Sequence, residues 1–95
     1  MKNGDILVCK FGYNCTLVEF FKIIKMTEKT VTVVEIESKI VEDDGYGQAG
    51  KVIPTDNVIG SPIRRKIGEY QNIKLDSYKY AYIWDGEPVD FDTYD

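Results

Sequence analysis

The segment from Leu17 to Ser38 constrains this chain more than any other. Leu17 to Met26 is an unbroken run rich in β-branched and aromatic side chains. Thr27-Glu28-Lys29-Thr30 is a polar break of hairpin length, and a second run follows from Val31 to Ser38. Val31 and Thr32 open a β-branched series that loses χ1 freedom in a helix but packs well on a pleated sheet. Strand, tight polar turn and strand predict a β-hairpin. In the first arm Val18, Phe20, Ile24 and Met26 share one face with Lys22, while Leu17, Phe21 and Ile23 share the other with Glu19 and Lys25. Neither face is purely polar, so the arm is expected to be covered on both sides. The second arm is expected to continue through Ile40 and Val41.

The remaining segments are short and also read as β. Asp5 to Phe11 is an apolar run between Gly4 and Gly12, hence a strand between turn residues, and Gly12 to Thr16 is a loop. Glu42 to Gly50 is a glycine-rich loop and Lys51 to Pro54 a short strand. Thr55 to Val58 is expected to form one helical turn capped by Thr55. Ile63 to Ile67 alternates, with Arg64 and Lys66 on one face and Ile63, Arg65 and Ile67 on the other. Tyr70 to Leu75 and Tyr78 to Trp84 are further strands. Asp85-Gly86 is a strong two-residue turn signal, so Tyr78 to Trp84 is expected to pair with Glu87 to Phe91 as a C-terminal hairpin, with Pro88 demanding an edge position. The 95 residues suffice for one domain, 1–95, with a thin core. The expected fold is all-β, a small SH3-like partly open barrel with a C-terminal hairpin. A five-stranded oligonucleotide-binding barrel competes, but it would place a helix between its third and fourth strands where only the single turn at Thr55 is available.

Charge is distributed unevenly. From Ile83 onward the segment 83–95 carries Asp85, Glu87, Asp90, Asp92 and Asp95 with no basic residue, so residues 1–82 are close to neutral. A second acidic cluster, Glu42, Asp43 and Asp44, lies mid-chain, and basic residues gather at Arg64, Arg65 and Lys66. Nucleic-acid binders usually present a dominant basic surface; an acidic segment of this kind suits a protein contact or a solubilising edge. No apolar run approaches the ~20 residues of a membrane helix, and Met1-Lys2-Asn3-Gly4 opens no signal-peptide core. The cytoplasm is the expected location, and there Cys9 and Cys15 are expected to stay reduced.

Catalysis is not expected. The chain has no histidine, which removes the commonest acid–base group and metal ligand. It also leaves Cys9 and Cys15 without the usual activating partner. Cys9 lies in an apolar strand and is expected in the core. Gly45-Tyr46-Gly47-Gln48-Ala49-Gly50 spells a dinucleotide fingerprint, but the fingerprint works by feeding a helix N-terminus. Here a strand-like run closed by Pro54 follows, so the stretch is read as a surface loop and no cofactor is expected. Asp43 and Asp44 lack the alternating ligands of a calcium loop, and no metal is expected.

The aromatic residues carry the sharper question. Tyr78, Tyr80 and Tyr82 share one strand face and Trp84 continues it. They either seal a thin core or form an anchoring surface, since aromatics are favoured at binding hot spots and on nucleic-acid platforms. The acidic groups that follow, Asp85, Glu87, Asp90 and Asp92, would repel phosphate, so a basic protein surface is the expected partner. Arg64, Arg65 and Lys66 are read as charges that keep an edge strand from aggregating, or as the alternative contact if the ligand is nucleic acid.

Several short stretches together carry a resemblance. Gly4-Asp5 opens the first strand, and Phe11-Gly12-Tyr13-Asn14-Cys15-Thr16 leads into Phe20-Phe21. Thr27 to Thr32, Ile63 to Lys66 and Tyr78 to Gly86 follow. The chain in this respect resembles a group of short uncharacterised proteins from bacteria, phages and plasmids. That group shows a Trp-Gly-Tyr-Asp-x-Thr loop, an Arg-Arg-Lys strand and a Tyr-x-Tyr-Ala-x-x-Trp-Asp-Gly ending. Phe11 stands where tryptophan is usual, Asn14 where aspartate is usual, and the tail is more acidic. The resemblance implies a mobile-element setting and no particular activity. The function expected from it and from the residues is a small non-catalytic protein-binding module, an accessory or anti-defence protein that contacts a host protein. A nucleic-acid-binding barrel is the alternative.

Overall fold

The computed structural model describes residues 1–13 and 15–93; Asn14 of the Phe11–Thr16 motif and Asp95 of the acidic tail lie outside them. Eight strands make one antiparallel sheet: β1 (Ile6–Phe11), β2 (Leu17–Met26), β3 (Thr30–Asp43), β4 (Ala49–Val58), β5 (Ile63–Lys66), β6 (Asn72–Asp76), β7 (Lys79–Ile83) and β8 (Val89–Asp92). Their order is β6-β7-β1-β2-β3-β4-β8, with β5 paired to β3. The described residues contain no helix. The sheet does not close. It curls twice instead, and an isolated bridge brings the ends of each curl together, Ile67 to Ile73 in one and Thr16 to Asp92 in the other.

Two cores follow from the double curl. Leu7, Cys9, Phe21, Ile23, Val31, Val33, Ile73 and Ala81 are buried together in the first. Phe20, Val34, Ile36, Val52 and Val89 form the second, with Trp84 and Phe91 packed against it. Successive side chains on a strand face opposite ways, so adjacent Phe20 and Phe21, like Val33 and Val34, serve different cores. This is the two-sided cover that the mixed faces of β2 predict. One detail of that pattern fails. A bulge between Ile23 and Lys25 shifts the register, and a bulge redirects the side chains beyond it. Met26 therefore packs on the first core rather than beside Phe20, and Ile24 is exposed.

Two further expectations need correction. Thr55 to Val58 is extended, not helical: β4 runs to Val58, and the Thr55 hydroxyl donates to the Glu37 carbonyl across the ladder at 2.9 Å. Pro54 is tolerated because it lies past the end of β8, where β4 has a neighbour on one side only. The C-terminal hairpin does not form either. Trp84 donates its backbone N–H to Ile6 at 2.8 Å, the chain then crosses over, and β8 pairs with Ala49 to Val52 of β4 instead of β7. Val89 is thereby buried in the second core and Phe91 packed against it. Non-local apolar burial outweighs the local Asp-Gly preference. β8 ends the strand order, in keeping with the edge demanded by Pro88. The fingerprint stretch simply turns β3 into β4. Gly50 is needed there, because a Cβ would collide with the Glu42 carbonyl.

Candidate interaction face

β7 is divided by the parity of its residues. Ala81 is fully buried opposite Cys9 and Ile73. Tyr80 and Tyr82 point to the other face, 40% and 49% exposed. Across the register Tyr82 stands opposite Val8 and Asn72, and Tyr80 opposite Lys74. Tyr78 precedes the strand, in the turn from β6, where the Asp76 carboxylate accepts its N–H at 3.0 Å; it is almost wholly exposed. The three rings, Val8 and Lys10 line a groove of about 390 Å³. A hollow of about 630 Å³, lined by Phe11, Tyr13 and Lys79 among others, shares Lys10 and Tyr78 with it.

Trp84 plays a different part from the tyrosines. Its ring meets Phe20 edge-on with centroids 6.0 Å apart, and its Nε1 donates to the Glu87 carbonyl at 2.6 Å. Trp84 is therefore a half-buried anchor that closes the second core and holds the chain crossing. It also walls a smaller hollow, of about 180 Å³, with Asp85, Glu87, Pro88 and Asp90. Asp85 accepts the Glu87 N–H at 2.9 Å, and Asp90 lies 3.7 Å from the Lys51 ammonium in a solvent-exposed pair. Asp92 is separated from them, at the end of β8 where its backbone exchanges hydrogen bonds with Thr16. The acidic segment thus divides into a cluster of three beside the tyrosines and Asp92 apart.

The basic triplet divides as well. On β5, Arg64 and Lys66 are exposed, and Arg64 Nε donates to Thr30 Oγ1 at 3.4 Å. Arg65 turns to the opposite face. Its guanidinium donates to the carbonyls of Arg64 at 2.8 Å and Leu75 at 3.4 Å, tying β5 to β6. Arg65 is therefore engaged with the backbone of two strands, unlike Arg64 and Lys66.

One cluster has no counterpart in the sequence reading. Lys79, on the same side of β7 as Ala81, pairs with Glu19 and lies 4.1 Å above the Phe11 ring. Burial alone would lower the Lys79 pKa, but the hydrogen bond and charge of Glu19 raise it. Glu35 is nearby, its carboxyl pushed up by burial and then by the Glu19 charge, with Lys79 opposing. The lysine and glutamates come from three strands, so no local spacing could have signalled them. Cys9 lies behind them, buried, its thiol raised by desolvation to about 11. Cys15 is half-buried, and both thiols are free.

Among the described residues no group of three or more metal-binding side chains is gathered, and no helix is long and apolar enough to cross a membrane. No protein-family model, curated protein or solved structure matches the chain.

Proposed function

We propose that this chain is a small non-catalytic protein-binding module of a mobile genetic element, an accessory or anti-defence protein acting in the cytoplasm. Its first curl is read as an SH3-like, partly open barrel. The observation that carries the proposal is the continuity of the exposed tyrosine groove with the acidic hollow at Asp85, Glu87 and Asp90, since both are lined by Val8 and Lys10. Half-exposed tyrosines on a rigid strand offer contact area at little entropic cost, and carboxylates at one end steer a cationic partner.

A second reading has one observation in its favour. Lys10 and Lys74 flank Tyr80 on the outer face, and stacking rings between lysines suit single-stranded nucleic acid. The combined variant Asp85→Asn, Glu87→Gln, Asp90→Asn separates the readings by sign. Capture of a host protein should weaken and association should lose its salt dependence, with folding nearly intact because the groups are exposed. Tighter binding of an oligonucleotide by the same variant, with no protein partner lost, would favour the second reading.

A further inference from the structure

Resting on the protein-binding reading above, we propose that the groove takes an extended segment of the partner. The segment lies along β1 and β7 and places an arginine in the acidic hollow beside Trp84. Three features of the face point to this occupant.

The site is linear. The tyrosine groove and the acidic hollow are joined through Val8 and Lys10. The four-residue step from Tyr80 to Trp84 spans roughly 13 Å at ~3.3 Å per residue, and Tyr78 in the preceding turn lengthens the groove further.

The site is read by side chains. β1 is already paired on both sides, to β2 and β7, and β7 to β1 and β6. Their backbone groups are therefore committed to the ladder, and strand addition is closed to an incoming chain. The occupant must lie on the face, held by ring contact and charge, and a segment of polyproline II character can do this because its backbone needs no ladder partner.

The site is polarised. Three carboxylates stand at the Trp84 end, and Asp85 and Asp90 are partly engaged by the Glu87 N–H and by Lys51. At Tyr80 the flanking charge is Lys74, away from the carboxylates, while Lys10 lies between the two ends and lines both hollows. A cation is therefore favoured at one end and opposed at the other, which fixes the direction of the segment. Arginine fits better than lysine because its planar guanidinium both stacks on a ring and takes carboxylates bidentately.

Selection of a phage-displayed library of random nine-residue peptides against the full chain tests this. Enriched peptides should share an arginine, and their binding should change the emission of Trp84, the single tryptophan. Tyr82→Ala should weaken the best peptide by at least about tenfold. The charge-reversed variant Asp85→Lys/Glu87→Lys should lose it and enrich peptides carrying aspartate or glutamate. Circular dichroism verifies that each variant is folded. Failure to enrich any peptide would overturn the proposal, as would arginine peptides that bind the charge-reversed variant equally well. So would binding of a twelve-residue oligothymidylate that competes with them and is abolished by Lys10→Glu/Lys74→Glu. If host-protein capture still depends on the three carboxylates while no peptide is enriched, the protein-binding function stands and the extended-segment occupant does not.

Discussion

The two faces of β7 are built from neighbouring residues and do opposite work. On the inner face Ala81 has no exposed surface, and it meets Ile73 across the β6–β7 ladder in the first core. On the outer face Tyr80 and Tyr82 keep almost half their surface in solvent, with only Val8 and polar side chains beside them in the register. A five-residue strand thus supplies a packing surface and an open aromatic surface at a spacing of one residue. Strand geometry allows this because successive side chains point to opposite faces of the sheet. Packing and exposure are thereby placed on opposite faces of one short strand.

The comparison breaks most severely on the inner side. Ile73→Ala removes a fully buried side chain at the closing edge of the first curl, and its cost should be about 2–5 kcal/mol. Urea unfolding, followed by circular dichroism, measures that loss directly. A cost under about 0.5 kcal/mol, the range of ordinary surface changes, would mean that the inner face is not the packing surface described.

A smaller effect sharpens the same contrast at the edge of that core. Because Glu35 has a raised pKa in the folded chain, the folded state holds its proton more tightly than the unfolded state does. The associated stability is fully present below the ordinary carboxylate value of 4.5 and is lost as pH rises through the raised value. Glu35→Gln should therefore be more stable than the natural chain at pH 7, and the difference should vanish on acidification. Thermal melts at pH 7 and near pH 4 would show it. A variant less stable at pH 7 would mean that the carboxylate is held by attraction rather than opposed by burial and Glu19.

What the sequence could disclose follows the same division between local and non-local causes. The β2–β3 hairpin was legible because its polar turn and β-branched arms are contiguous, and the bounds of β2 coincide with the expected Leu17 to Met26. Outward Arg64 and Lys66 were legible from alternation alone. The partner of β8 was not. Asp85-Gly86 is a genuine local turn, with Gly86 at φ 90°, but which strand receives Val89 depends on where Phe20 and Val52 have left an uncovered core. Thr55 misled for a related reason: a good helix cap in isolation, it serves the ladder by bonding to Glu37. Parity placed Trp84 beside the tyrosines correctly but could not reveal that Phe20 and the Glu87 carbonyl fix it. The Lys79–Glu19 pair needed three-dimensional proximity between β2 and β7.

The central claim is that Tyr80 and Tyr82 form a contact surface and do not hold the fold together. Equilibrium urea unfolding of the double variant Tyr80→Ser/Tyr82→Ser tests it most directly. The rings are exposed enough that the loss should stay within about 1 kcal/mol for the pair, near the range of surface substitutions. A loss of about 3 kcal/mol or more, the scale of a truncated core aromatic, would contradict the account and return both tyrosines to the core.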